Sequence, residues 1–144
     1  MDDRETARAI NSGAIHVLRA LRRVDRTAGL PAARLSALSV LVFGGPCTIG
    51  ALAVTEDVTS PTMTRIVDGL EEAGLVRRTV LRGAGRPVEV SATASGTRLM
   101  RRAAGRRLDA IMAGLAGLSA ADQHALRAAA PALDRLAGVL RSPS

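Results

Sequence analysis

The sequence predicts a mainly α-helical fold with one small β-hairpin, on three observations. Apolar residues recur at helical spacing in long stretches at both ends of the chain and in shorter stretches between them. Only Leu75–Val80 and Val88–Ala92 read as strands. Phe43 is the sole aromatic residue of the 144, so the core must be built from Leu, Val, Ile, Met and Ala, a diet on which helices pack well.

Each element follows from its residues. Over 4–27, Ile10, Ala14, Val17, Leu18, Leu21 and Val24 form one stripe with Arg19, Arg22, Arg23 and Arg26 elsewhere, which predicts a long amphipathic helix. Gly29-Leu30-Pro31 ends it. A second helix, Ala32 to Phe43, is apolar nearly all round through Leu35, Leu38, Val42 and their neighbours, as a buried central helix must be, and Gly44-Gly45-Pro46 stops it. Thr48 is a good cap for a short third helix, Ile49 to about Glu56, with Ile49, Leu52 and Ala53 facing inward. Asp57-Val58-Thr59 is a turn.

The stretch from Thr59 to Arg78 organises the rest. Thr59 or Ser60 can cap a fourth helix, and Pro61 suits its first position because it has no N–H to leave unpaired. Met63, Ile66, Val67 and Leu70 form its apolar stripe, leaving Pro61, Thr62, Thr64, Arg65 and Asp68 on the opposite face. Gly74 terminates it. Two short helices joined by a tight turn make a helix-turn-helix, whose second helix enters the major groove of duplex DNA.

Leu75–Val80, the glycine- and arginine-containing loop Leu81–Pro87, and the alternating Val88–Ala92 then form a hairpin with a basic tip. The glycines do not make a nucleotide-binding loop, because no strand-loop-helix context or Lys-Ser/Thr ending accompanies them. Thr93 caps a long helix, Ala94 to about Gly117, with Leu99, Ala103, Leu108, Ile111, Met112 and Leu115 as its inner candidates. Ser119 to Asp122 starts a last helix carrying Leu126, Ala129, Ala130, Leu133, Leu136, Ala137 and Leu140, which Pro131 should interrupt and kink. The fold expected is therefore a winged helix-turn-helix lobe, 32–93, between dimerisation helices 4–27 and 94–141, all within one chain.

The net charge of +7 comes from 20 arginines and no lysine, and the total alone decides little. Its distribution decides more. Arg77, Arg78, Arg82, Arg86, Arg98, Arg101, Arg102, Arg106 and Arg107 face a single acid, Glu89, over the same stretch, an electrostatic footprint for a polyanion. Scarce aromatics argue against a base-stacking platform for single strands and leave duplex binding untouched.

The order of these elements resembles the MarR family of bacterial transcriptional regulators over nearly the whole chain. The resemblance is sharpest over Leu52-Ala53, Ser60, Thr64-Arg65, Val67, Leu70-Glu71, Gly74-Leu75-Val76 and Arg78, and over Arg86 to Thr93 followed by Gly96. It implies a homodimer on a pseudo-palindromic operator, usually as a repressor. Ser60, Thr62, Thr64 and Arg65 would lie in the groove beside Pro61, with Arg86 of the wing at the minor groove. It also implies release by a small apolar or phenolic effector. The family commonly has an Asp two positions before the wing Arg, where this chain has Ala84.

Physical chemistry divides the labour similarly. Short hydroxyls allow close approach, and Arg65 has the fork to read a guanine edge unless it pairs with Asp68 or Glu72 on its own face. Arg77, Arg78, Arg82 and Arg86 would neutralise phosphates or enter a narrow minor groove. The terminal helices carry more apolar surface than one wing lobe can cover, which pairing of two chains resolves, an intrachain three-helix bundle being the rival. The alternative function is a winged-helix module that docks an acidic protein partner and never touches DNA.

Cys47 has no partner cysteine and reads as a packed or half-packed hydrophobe, and His16, His124 and Cys47 are too scattered for a metal site. No nucleophile is spaced to a histidine and no carboxylates cluster, so neither an enzyme nor a cofactor is expected. The absence of a signal-like N-terminus, of a disulfide pair and of any run long enough to cross a membrane points to the cytoplasm.

Overall fold

A computed structural model describes residues 1–142. The order is α1 (Asp3–Asp25), a 3-10 turn (Arg26–Ala28), α2 (Ala32–Gly44), β1 (Cys47–Thr48), α3 (Ile49–Glu56), α4 (Ser60–Glu72), β2 (Val76–Val80), β3 (Val88–Ala92), α5 (Ala94–Ala116) and α6 (Ala120–Arg141). The chain divides inside α5 into two compact units, Met1–Arg107 and the remainder from Leu108.

Caps and stops act at the residues the sequence marks. Thr48 Oγ accepts the Ala51 N–H at 3.2 Å and starts α3. Ser119 Oγ accepts the Asp122 N–H at 3.1 Å and starts α6, which continues through Pro131 as one element instead of being interrupted there. Gly29, at φ +77, takes the left-handed conformation after the 3-10 turn that ends α1. Asp2 closes a reciprocal capping box with Glu5 at the start of α1.

The first unit is held by a core in which Leu38, Leu52, Met63, Val67, Leu70 and Val90 are fully enclosed. Around them pack Leu35, Ala37 and Leu41 from α2, Ala53 from α3, Leu75 and Val76 beside the wing, and Met100 and Ala103 from α5. Every member is apolar, so burial stabilises it by about 1.5–3 kcal/mol for each large side chain without a polar group to satisfy. The sheet has the order β1-β3-β2 and is antiparallel throughout. Val76 faces Ala92 at the base of the hairpin and Val80 faces Val88 toward its tip. Strand β1, which pairs Cys47 with Val90, was not expected, since two residues are too few for an alternation to register.

One expectation about the long helices needs correction. In α5 the enclosed residues are Gly96, Met100 and Ala103, whereas Leu99 is only half-buried and Leu108, Ile111 and Met112 are exposed. In α1 only Leu21 is buried, and Ile10, Val17 and Leu18 of the predicted stripe are exposed in the single chain, apolar surface that the lobe does not cover.

The junction between α4 and α5 is tightly built. Thr93 donates its hydroxyl to the Gly74 carbonyl at 2.7 Å, accepts the Gly96 N–H at 3.1 Å, and sends its own N–H to the Leu75 carbonyl at 3.0 Å. A Cβ on Gly96 would overlap the Leu75 carbonyl, so α5 reaches this position only because residue 96 has no side chain. Nearer the middle of α5, Arg107 makes a bidentate pair with Asp25, both contacts at 2.6 Å, and Arg106 donates to the Thr27 hydroxyl at 3.1 Å. The hydrogen bond from Arg107 holds the Asp25 carboxyl below its ordinary pKa, although burial pulls the other way.

Gly96→Ala is expected to destabilise the fold by about 1–3 kcal/mol, since the obstacle is backbone that cannot give way locally; chemical denaturation measures this. The Asp25–Arg107 pair yields a pH signature. Its contribution is complete above the unfolded carboxylate pKa and is lost as pH falls through the lower folded value. Asp25→Asn should therefore lower the thermal midpoint at neutral pH, and the gap from the parent chain should close in acid below the usual Asp range.

Candidate nucleic-acid interface

Asp57 terminates α3 in the left-handed conformation, at φ +54, which a short polar side chain tolerates better than most, and this turns the chain into α4. Thr59 caps α4: its Oγ accepts the Thr62 N–H at 3.3 Å and donates to Thr62 Oγ at 2.9 Å. The helix thus starts at Ser60, and Pro61 occupies the second helical position, where its missing N–H is equally harmless. At the other end the Leu75 N–H reaches the Leu70 carbonyl and the Gly74 N–H reaches that of Glu71, both at 2.9 Å, with Gly74 at φ +74. That pair of bonds is a Schellman stop, and it releases the chain directly into β2.

Between these ends α4 is two-faced. Met63, Val67 and Leu70 are each 0 % exposed, while Ser60, Pro61, Thr62, Arg65 and Asp68 are exposed and Thr64 is half-exposed. The hydroxyls present different chemistry. Thr64 donates its hydroxyl to the Ser60 carbonyl at 3.0 Å, so toward a ligand it can only accept, whereas the Thr62 hydroxyl is tied to that of Thr59 at 2.9 Å. Among the described residues Arg65 makes no ion pair with either expected partner: Asp68 is engaged by Arg78, and Glu72 is in no ion pair.

Arg78 departs from the reading that treated it like Arg77. Its Nη1 reaches Glu71 Oε1 at 2.7 Å, its Nη2 reaches Asp68 Oδ1 at 2.5 Å, and its backbone N–H donates to Glu71 Oε2 at 3.2 Å. Burial pulls its pKa down and the two carboxylates more than reverse that, so the net shift is upward. The signal lay in the strand period: Val76 is buried, Arg78 lies two residues on and shares its face, and Arg77 points the other way and is exposed. The guanidinium ties β2 to α4, and its charge is already balanced. Arg107, counted in the same basic run, is likewise paired, with Asp25.

The wing tip is closed by the Leu81 N–H on the Pro87 carbonyl at 2.8 Å and the Arg86 N–H on that of Gly83 at 3.3 Å. Gly83 and Gly85 supply left-side conformations at φ +130 and +76, and Arg86 itself sits at φ +44, unusual for a residue with a long side chain. Arg82 and Arg86 are exposed. With Ala84 in place of an acid, Arg86 has no carboxylate partner among the described residues.

Arg34 is a residue that the sequence did not single out. It lies half-buried in the first turn of α2, and a Cβ on Gly69 of α4 would overlap its guanidinium. Cys47 is half-buried in β1, and burial first, then the nearby Glu89, pushes its thiol pKa up, which lowers its reactivity at neutral pH.

A capped helix with an enclosed back and a bare hydroxyl-and-guanidinium front, followed directly by a basic hairpin, is a winged helix-turn-helix of the DNA-binding class. Comparison with known proteins specifies it further. The family model described as MarR family matches residues 28–87. An HTH-type transcriptional regulator of Mycobacterium bovis is 34% identical over 128 residues, 89% of this chain and 90% of that relative. A MarR family protein from Bacillus stearothermophilus has the same fold, with a TM-score of 0.79 at 20% identity over 96% of this chain and 99% of its own. So does NadR, solved in complex with 4-hydroxyphenylacetate, with a TM-score of 0.70 at 21% identity over 94% of this chain and 92% of its own. The chain belongs to the MarR family: it is a transcriptional regulator and not an enzyme.

The Arg78 clamp is open to a double-mutant cycle. Arg78→Ala and Glu71→Ala should show a coupling energy of about 0.5–1 kcal/mol, since the guanidinium is 25% exposed and the carboxylates more so. Additive effects in urea unfolding would show the pair to be energetically idle.

Proposed function

We propose that this regulator is a homodimeric repressor that reads a pseudo-palindromic operator and is released by a small apolar or phenolic effector. The observation that carries the reading is the outward face of the first turns of α4, where Ser60, Thr62 and Arg65 are exposed over a fully enclosed apolar back. In this reading Ser60, Pro61, Thr62, Thr64 and Arg65 enter the major groove, and Arg65 supplies the guanine-reading fork. Arg77, Arg82 and Arg86 meet phosphates or the minor groove. Arg78 acts one step back, by fixing the wing to the helix that does the reading.

The lobe is 32–93, and the pairing surfaces lie in 4–27 and 94–141. Ile10, Ile15, Val17 and Leu18 of α1 are exposed, as are Leu126, Leu133, Leu136, Val139 and Leu140 of α6, and a second copy is the economical cover for them. The effector class is assigned from the likeness to NadR and its bound 4-hydroxyphenylacetate. No single helix among the described residues is long and apolar enough to cross a membrane, which is consistent with work on DNA in the cytoplasm.

Anisotropy titration against duplex from upstream of its own gene, with sedimentation equilibrium alongside, tests the reading. The expected result is a dimer whose binding is sequence-dependent and salt-steep. Arg65→Ala should forfeit about 1–3 kcal/mol of discrimination, and Arg86→Ala should weaken all duplexes alike and flatten the salt slope. A monomer in solution, or a parent chain with equal affinity for operator and scrambled duplex, overturns it.

A further inference from the structure

A helix lying in the major groove is about as wide as the groove, so sugar-phosphate backbones run along both of its flanks. The wing supplies cations on one flank of α4. Its attachment shows which: Arg78 of β2 grips Asp68 and Glu71, which share one side of the helix at a spacing of three. Thr62, Arg65 and Gly69 mark the other side, at spacings of three and four. Of the basic run from Arg77 to Arg107, Arg78 is the member seen to touch α4 among the described residues, and it does so on the first flank.

Arg34 stands on the Gly69 side. A Cβ on Gly69 would meet its Cζ, Nε and Nη2 together, so the flat face of the guanidinium rests in the notch that the missing side chain leaves, one helical turn beyond Arg65. Half-buried, and without an ion pair or side-chain hydrogen bond among the described residues, it has five donors and no internal acceptor. Asp68 and Glu71, the carboxylates of α4 that do form pairs, are held by Arg78 on the far side. Glu72, three residues beyond Gly69 on the same flank, is exposed and does not pair with Arg34, and a planar fork left unpaired against the recognition helix suits a phosphate oxygen.

We propose that Arg34 is a DNA-backbone contact of α2, gripping a phosphate on the flank of the recognition helix opposite the wing, with Gly69 as the notch that seats it. The inference rests on the DNA-binding reading above and adds to it a residue outside the basic run. The two arms make a clamp: arginines of the wing on one strand and Arg34 on the other, with α4 between them. Phosphate contacts of this kind fix register and supply affinity without reading sequence.

Three variants separate this role from mere packing: Arg34→Gln keeps length and polarity but loses charge, Arg34→Lys keeps charge but loses the plane, and Arg34→Ala removes both. Each is titrated by fluorescence anisotropy against the upstream duplex and a scrambled duplex of equal length over a range of KCl, with the thermal midpoint measured in parallel. The expected result is that Arg34→Gln and Arg34→Ala weaken both duplexes several-fold and by the same factor. The slope of log affinity against log salt should become shallower by about 0.9 for each subunit bound. Arg34→Lys should restore most of that slope. If Arg34→Gln retains the parent affinity and salt slope, Arg34 packs and does not bind phosphate, and the inference fails while the DNA-binding reading stands. If Arg34→Gln loses affinity for the upstream duplex alone, the residue reads sequence and the assignment to the backbone fails. A parent chain that binds neither duplex overturns both.

Discussion

Everything outward on α4 depends on what is buried behind it. Met63, Val67 and Leu70 are sealed against Leu38 of α2, Leu52 of α3 and Val90 of the sheet, all in one apolar cluster. Because those contacts hold the helix, the opposite face needs none of its own residues for stability and is free to carry hydroxyls, a proline and an arginine. Thr59 at one end and the Gly74 stop at the other define α4 to the residue.

The arginines divide into two populations that composition cannot separate. Arg78 and Arg107 serve the architecture: one joins the wing to α4, the other joins the end of α1 to α5. Arg65, Arg77, Arg82 and Arg86 are exposed, and Arg34 is half-exposed, all without a carboxylate partner among the described residues. A guanidinium that already holds two carboxylates adds little net charge to an approaching backbone, whereas an unpaired one adds a full unit. The unpaired charge is therefore smaller than the run from Arg77 to Arg107 suggests.

The junction at Thr93 shows how closely the wing and the long helix are tied. One side chain bonds the residue that stops α4 and the first turn of α5, and Gly96 allows α5 to sit on the Leu75 backbone. The first turns of α5 consequently belong to the core that supports α4, and Met100 and Ala103 contribute to it.

Local chemistry was legible in the residues themselves. The caps at Thr48, Thr59 and Ser119, the left-handed glycines at 29 and 74, the strand Val88–Ala92 and the two-faced α4 follow from rules that act within one or two turns of chain. Residue order alone decided them, and with them the helix-turn-helix and the exposed set from Ser60 to Arg65. What lay beyond was settled by contacts between residues distant in the chain. Strand β1 exists because Val90 offers it a partner, and Arg78 faces inward because α4 places two carboxylates beneath it. Met100, not Leu108, is enclosed because α5 meets the core only along its first turns, and Arg34 rests against α4 only because Gly69 leaves room for it. A periodicity can say which residues share a face, but only the assembled core decides which faces meet.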